Sequence, residues 1–582
     1  MIQGNYYENN KDLQFTVDHF IDWATIIPLK EEGFADAAEY KKTGDKHLEF
    51  APASTEEALE GYKAVWQQSG ELAGIEIAGA ARSMEKHGLK FHNGKVTFPP
   101  ETLRLVDLFA QSGLLGYSMG RHYGGLNMNL TASSVVLEMV SRADAAFGIT
   151  LGCFNLAEVI ERYGSKEMTA EWVPKMAAGE VTGAMALTEP NYGSDLSRVM
   201  TRAVKGEDGI WRLTGTKRFI THGCGVGDRP AVILTLARSG GAGAKGLSFF
   251  LVHSSQIQVA RIEEKLGLHT SPTCEIVFEN SKAELIGEEG LGLVRYAMGM
   301  MNGARMGIAV QSLGIAQAAH NEGKKYASER VQFGDTIDKL PAVKRILDDN
   351  EALVQGMRAL VYRACEIVDH YDGLSNKLLK ETGDERAVRK NEDVVRLDKL
   401  AKLLTPTAKL FCSEEANFVA YHSLQIFGGS GYTEEYDIAK IYRDARICTI
   451  YEGTTQLQAV AAIGGIVEGL REGGFLLAHL RAEIGKLTEA KIKDELSADV
   501  EQLVKFVPQY KDRNEKEALS IDMVAAFARV YTSILLAQQL QIAKQKGLTD
   551  IVETKAKVFP HFHAMSRRYL AGLAVTLSSA AA

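Results

Sequence analysis

This sequence lacks paired cysteines. Its six cysteines (Cys153, Cys224, Cys274, Cys365, Cys412, Cys448) are scattered and form no CxxC. That spacing argues against a disulfide-stapled scaffold and a zinc or iron–sulfur ligand set, and it suits idle thiols in a reducing compartment. An excess of basic residues is also missing. The net charge of −8 weighs against nucleic acid or an anionic membrane as the main partner. Proline is scarce, 12 in 582 residues, and the 46% hydrophobic and 24% charged content is that of an ordinary globular protein. No uncharged apolar run reaches bilayer-spanning length. The polar opening residues Gln3, Asn5, Glu8, Asn9, Asn10 and Lys11 lack the apolar core of a signal peptide. The expectation is a cytoplasmic protein with no membrane span. No GxGxxG follows a strand pattern, so a Rossmann-type fold lacks support.

The length predicts about two to four domains. Residues 1–50 read as an N-terminal extension. Residues 51–181 read as helix, with apolar residues at helical spacing over Thr55 to Lys86 and Thr131 to Tyr163 and a turn at His122 to Gly125. The texture then changes over residues 182–287 to short β-rich runs: Ile210 to Leu213, Lys217 to Thr221, Ala231 to Ala237, Leu247 to His253 and Glu275 to Glu279. In the last run Ile276 and Phe278 alternate with Glu275, Val277 and Glu279, as in a half-buried strand. Helix returns over residues 288–465, interrupted by a charged segment, Gly373 to Asp393, that reads as a solvated loop or insertion. Residues 466–582 read as further amphipathic helices. Sheet flanked by helices, without alternation, is an α+β arrangement.

Four segments carry chemistry. The turn Ile450 to Gln456 places the carboxylate of Glu452 beside Gly453; read alone, it is a helix N-terminal carboxylate facing the macrodipole before it is a catalyst. Gln425 to Tyr432 is a Gly-rich bend where backbone can approach a ligand. Leu187 to Asp195 is a loop presenting N–H groups and hydroxyls, or simply a connection between strands. Phe219 and Thr221 fall on one face of a strand end, where a ring and a hydroxyl could receive a planar cofactor or belong to core and edge.

Three of these segments, Thr188 to Asp195, Phe219 to Gly223 and Tyr451 to Thr454, together with Glu329 to Gly334, resemble the TEPxxGSD, FITHG, YEGT and ERxxFG motifs of the acyl-CoA dehydrogenase family, in the family's order, over about Leu105 to Ile463. The longer form, with its extra C-terminal helices, resembles the subgroup containing methylthiopropanoyl-CoA dehydrogenases. The resemblance implies an N-terminal helical domain, a middle β-barrel-like domain, a C-terminal four-helix bundle and an added helical domain. It implies FAD as cofactor, held by Met185, Leu187, Thr188, Gly193, Ser194, Phe219, Ile220 and Thr221. Arg330, Gln332, Phe333, Gln425, Ile426, Gly428 and Gly429 would hold the FAD of a neighbouring subunit, and Thr454 and Gln456 complete the set. Ser194, Asn302, Arg305, Tyr451 and Gly453 would meet the acyl-CoA. Phe219 stands where many relatives carry Trp, and Leu340-Pro341 replaces a polar pair.

The resemblance makes Glu452 the base that takes the α-proton of the thioester. Some relatives carry this base just before the CoA-binding Arg; here that position is Ala304. Arg443 and Asp444 read as ion-pairing groups, and His122, His222 and His422 as structural histidines with no metal-ligand spacing. An electron-transfer flavoprotein as acceptor and a homodimer or homotetramer follow from the resemblance. A flavin oxidase on the same fold remains an alternative. So does a flavin-bearing nucleic-acid-binding protein, although basic and acidic residues mix along the C-terminal helices.

Overall fold

The computed structural model describes residues 1–510 and 512–580. The chain divides into two compact units, Gly33–Ala304 and Met1–Glu32 together with Arg305–Ala582.

The first unit opens with helices and closes with a seven-stranded sheet. The helix Leu130–Ala143 starts where Asn129 accepts from the Ala132 N–H at 2.8 Å, and Asp144 caps the next helix, Ala145–Phe154, by accepting from Phe147 at 2.8 Å. Side-chain acceptors of this kind satisfy N–H groups that have no partner within the helix.

The strands are β1 (Thr182–Ala186), β2 (Arg202–Lys205), β3 (Trp211–Thr221), β4 (Ala231–Arg238), β5 (Leu247–His253), β6 (Ile257–Ile262) and β7 (Thr273–Ile286). Antiparallel pairing links β4 to β5, β5 to β7, β7 to β3 and β3 to β2. A parallel contact, Arg202 opposite Arg238, returns β2 to β4 and closes a barrel-like ring. The strand β1 lies parallel to β4, and β6 pairs with β7. The continuous apolar run of β4 is buried on both faces. Val232, Leu234 and Leu236 join a core with helical residues such as Ile160, Val173 and Met176, while Ala231, Ile233 and Ala237 join Phe250, Val252 and Ile276. In β7, Cys274, Ile276 and Phe278 are buried in alternation, as the sequence pattern requires.

Two sequence expectations change here. Ile210 to Leu213 and Lys217 to Thr221 are parts of one strand, β3, and the polar residues between them carry a bulge at Gly215. A Cβ at Gly215 would stand 2.8 Å from the Thr201 Cα, so only glycine lets the two backbones approach. Three further strands, β1, β2 and β6, are short and lack a strong β-branched run.

The second unit is helical. Its principal helices are the Arg305 to Glu329 part of Met298–Glu329, then Pro341–Thr382, Glu392–Phe427 and Thr455–Gly469, followed by the added helices from Phe475 onward. The segment Gly373 to Asp393, expected to be a solvated loop or insertion, is largely helix: Pro341–Thr382 extends into it, and Glu385–Lys390 follows a break at Gly383. Its charges are spaced to pair along a helix, with Lys377 to Glu381 at 4.0 Å and Arg389 to Glu385 at 2.9 Å. Among the described residues one helix, Ser520–Lys546, is long and apolar enough to cross a membrane. In this fold 78% of its apolar window is buried, as in the core helix of a bundle.

Asp12 links the first residues of the chain to this unit. Its carboxylate accepts from Arg358 Nη1 at 2.5 Å and from Lys555 Nζ. Arg358 also donates to Gln317 at 2.7 Å, and Lys555 to Gln539 at 2.6 Å. Removing one partner of a buried ion pair strands the others, at a cost of about 3–5 kcal/mol. Asp12→Ala is therefore expected to lower stability by about 3 kcal/mol or more, read as a shift of the urea midpoint at constant slope. A variant as stable as the parent would show that the network holds nothing together.

Candidate active site

The turn that carries Glu452 lies in the second unit. A short helical turn, Arg446–Thr449, leads into Tyr451, Glu452 and Gly453, and Thr454 caps the helix Thr455–Gly469. Thr454 accepts from the Leu457 N–H at 3.4 Å, so the cap belongs to Thr454 and Glu452 is free of that structural duty. Glu452 and Gly453 both have left-handed backbones, with φ of +53° and +91°. For a residue with a Cβ this conformation costs on the order of 1–2 kcal/mol and persists only where the surroundings impose it. Three hydrogen bonds impose it. Gln458 Nε2 donates to the Glu452 carbonyl at 3.1 Å and to the Gly453 carbonyl at 2.9 Å, and Lys409 Nζ donates to the Gly453 carbonyl at 2.8 Å. A Cβ at Gly453 would stand 2.6 Å from Gln458 Nε2.

Burial raises the proton affinity of the Glu452 carboxyl above the ordinary carboxylate range, and the Arg305 and Lys409 cations draw it part of the way back. Arg305 is buried beside it, and burial lowers the guanidinium pKa while Glu452 opposes the change. Tyr451 donates its hydroxyl to Gln311 Oε1, and burial holds that phenol far above its usual range. Asn302 is exposed, one turn before Arg305 on the same helix. Gln456 is exposed at the start of Thr455–Gly469. Lys409, Gln458 and Gln311 gave no motif signal; the one clue to Lys409 was a lone charge in the apolar stretch Thr405 to Cys412.

A second group lies in the first unit, at one end of the barrel. Lys217 on β3 is fully buried, and its ammonium donates to the Leu187 carbonyl at 2.8 Å and to Glu189 at 3.0 Å. The Glu189 carboxylate also accepts from the N–H groups of Met200 at 2.6 Å and Thr201 at 2.8 Å. Burial alone would push this carboxyl up, but Lys217 and those donors outweigh it and hold the pKa below the usual range. The loop is thereby fixed, with the Arg218 N–H donating to the Thr188 carbonyl at 2.9 Å. Gly193 and Ser194 are left exposed, Met185 and Thr188 partly buried, and Leu187 buried.

Sequence alternation placed Phe219 and Thr221 on one face. The structure adds a register shift between Lys217 and Ile220, with Phe219 at φ +62°. Ile220 turns into the core, while Phe219 is 54% exposed and Thr221 partly so. The Arg218 guanidinium lies 4.8 Å from the Phe219 ring centroid and is paired with Glu263 at 2.9 Å.

A third group is again in the second unit. Arg330 precedes a two-residue hairpin, Val331–Gln332 with Asp335–Thr336, whose tip residue Phe333 is 93% exposed. Beside it the Gly-rich turn follows Phe427, with Ala327, Ile337 and Ile426 in a shared small core and Tyr326 stacked on Phe427 at 4.2 Å. Gln425 is exposed, and a Cβ on Gly428 or Gly429 would meet nothing within 4 Å. The two glycines thus present open backbone.

These surfaces fit FAD. Phe219 offers an exposed aromatic face to a planar ring system, and Thr188, Ser194 and Thr221 offer hydroxyls that are exposed or partly exposed on the same unit. Arg330, Gln332 and the open Gly428–Gly429 backbone suit phosphate and adenosine. The other polar residues have structural partners. Arg443 pairs with Glu434 at 2.6 Å and Lys440 with Asp444 at 2.5 Å. His222 is buried against Phe98, with Nε2 at 3.0 Å from Thr150 Oγ1, and burial holds it neutral with a pKa near 4. His422 bonds its own helix at the Phe418 carbonyl, and His122 lies 3.8 Å from Asp36. Among the described residues no group of three or more His, Cys, Asp or Glu could hold a metal ion.

Comparison with known proteins places this geometry. The chain matches the acyl-CoA dehydrogenase N-terminal domain over residues 62–180, the middle domain over 184–281 and the C-terminal domain over 292–463. It is 32% identical over 506 residues to the 3-methylmercaptopropionyl-CoA dehydrogenase of Ruegeria pomeroyi, covering 83% of this chain and 79% of that one. Among solved structures it superposes on the butyryl-CoA dehydrogenase of Megasphaera elsdenii with TM-score 0.58 and 28% identity, over 70% of this chain and 98% of the other. An FAD-complexed acyl-CoA dehydrogenase from Bacillus anthracis shares the fold over 89% of this chain and 91% of its own, with TM-score 0.71 and 23% identity. The chain belongs to the acyl-CoA dehydrogenase family: it is a flavoprotein oxidoreductase with FAD as cofactor, in a long form with added C-terminal helices.

Proposed function

We propose that the protein dehydrogenates the Cα–Cβ bond of an acyl-CoA thioester to the trans-2-enoyl-CoA, with Glu452 as the base. The observation that carries this reading is a carboxyl, partly buried, on a clamped left-handed turn, its proton affinity raised above the ordinary carboxylate range. The α-hydrogen of a thioester is a very weak acid, so a carboxylate removes it only if the enolate oxygen is stabilised as its charge forms. The backbone N–H of Glu452 is the donor this chain supplies. FAD, when bound, supplies the two-electron acceptor that takes hydride from Cβ at flavin N5. Thr188, Thr221, Phe219 and Ser194 would hold the flavin, with Ser194 also meeting the CoA chain. Asn302, Arg305, Tyr451 and Gly453 orient the thioester and its pantetheine arm.

The related proteins named for 3-methylmercaptopropionyl-CoA and butyryl-CoA both act on short acyl groups, which supports a short acyl chain as substrate. Electrons leave to an electron-transfer flavoprotein. The exposure of Arg330, Gln332 and Phe333 on one hairpin supports a homodimer or homotetramer in which this hairpin holds the neighbouring subunit's FAD.

Anaerobic titration with a panel of short acyl-CoAs is expected to bleach the flavin. Glu452→Gln should still bind the thioester yet lose turnover on the order of a thousandfold; retained turnover would remove Glu452 from the mechanism. Glu452 must be ionised to act, so kcat should fall as pH drops through its raised pKa. The midpoint of that acid limb should stand above the ordinary glutamate value of about 4.3. Replacing both Arg330 and Gln332 with Ala should weaken FAD retention by about tenfold or more. This is read as the ratio of flavin to protein absorbance after gel filtration, and an unchanged ratio would place the cofactor elsewhere.

A further inference from the structure

We propose that Lys409 is a positioning residue for the base: its ammonium fixes the left-handed turn through the Gly453 carbonyl and places a buried positive charge beside the Glu452 carboxyl. The inference rests on the reading of Glu452 as the base.

Lys409 sits in the helix Glu392–Phe427 among Thr405, Ala408, Leu410, Phe411 and Cys412, and it is 0% exposed. Burying an ammonium is costly unless its hydration is replaced. An ion pair does not replace it: among the described residues no carboxylate oxygen lies within 4.0 Å of Lys409. The Lys409 ammonium donates to the Gly453 carbonyl at 2.8 Å. A lysine spent on a backbone carbonyl suits a segment whose conformation must be imposed. Here the segment is the one with two successive left-handed residues, Glu452 and Gly453.

The charged and titratable groups around it come from three elements. Glu414 is on the same helix and accepts from Thr455 Oγ1 at 2.5 Å. Cys448 and Tyr451 flank the turn, and Arg305 comes from the helix Met298–Glu329. Burial pulls the Lys409 pKa down to about 8; Cys448, Glu452 and Glu414 oppose this and Arg305 adds to it. Lys409 is therefore charged throughout the acid limb of the rate profile, where Glu452 titrates. Gln458 shares the Gly453 carbonyl at 2.9 Å but carries no charge. The two donors thus separate geometry from electrostatics.

The test is difference infrared titration of the holoenzyme, taking as Glu452's own the carboxyl band that Glu452→Gln removes. Lys409→Met should raise the midpoint of that band by about one pH unit, and the acid limb of kcat should move with it. Lys409→Arg should keep the midpoint near the parent value. Gln458→Met should lower kcat on the order of tenfold and leave the midpoint in place. A Lys409→Met midpoint equal to the parent's, or an equal shift in Gln458→Met, would overturn the proposal. If Lys409→Met does not fold, Lys409→Gln is read by the same criteria. Turnover persisting in Glu452→Gln would sink the base assignment instead, while the infrared midpoints would still report whether the Lys409 charge acts on Glu452.

Discussion

Taking an ammonium or a carboxylate out of water costs several kcal/mol unless hydrogen bonds replace the lost hydration. This protein accepts that cost repeatedly, at places where a loop or turn must be held still. Lys217 and Glu189 are buried together, and between them they engage the Leu187 carbonyl and the N–H groups of Met200 and Thr201. Lys409 is buried against the Gly453 carbonyl. Asp12 gathers Arg358 and Lys555 around the first helix of the chain. In each case the charged group finds its partners in backbone or side chains far away in sequence, so a loop without regular structure inherits the rigidity of the helix or strand that carries the charge. The loop after Leu187 and the turn at Glu452 are therefore anchored to the strand and the helix that carry Lys217 and Lys409.

The residues of the base turn were legible because their types are unusual: a carboxylate followed by glycine after a helical run, in a chain whose other motifs agree. The apolar run of β4 and the alternation in β7 also gave their strands directly, since burial on two faces and on one face leave different patterns. The interruption of β3 was misleading. Thr214, Gly215 and Thr216 look like a turn, yet they are the point where β3 passes close to Thr201. The stretch Gly373 to Asp393 misled in the opposite sense. High charge density suggested a loop, but charges four residues apart support a helix as well as they suit solvent. Lys409 and Gln458 were invisible for a different reason: their partners are carbonyl groups, which every residue has, so no residue type announces the contact.

The proposed cofactor surfaces share a design. Each combines exposed or half-exposed groups with an anchored backbone: Phe219 and Thr221 follow buried Lys217 on β3, and the Gly428–Gly429 turn follows Ile426 and Phe427, the latter stacked on Tyr326. A flat aromatic ligand and a phosphate-bearing one are both better received by a rigid frame than by mobile side chains, because the ordering entropy is spent during folding and is not charged to binding.

The pairing of Asp12 with Lys555 has a consequence for synthesis on the ribosome. The unit Gly33–Ala304 is complete in sequence once Ala304 has emerged, whereas the unit containing Met1–Glu32 is not complete until its last long helix, Thr549–Ala580, has been made. At translation rates of about 5–20 residues per second, Lys555 follows Asp12 by on the order of half a minute or longer. Until Pro341–Thr382 and the later helices are made, Leu13, Phe15, Val17 and Phe20, all buried in the finished fold, lack the partners that cover them. These residues are made well before the helices that bury them.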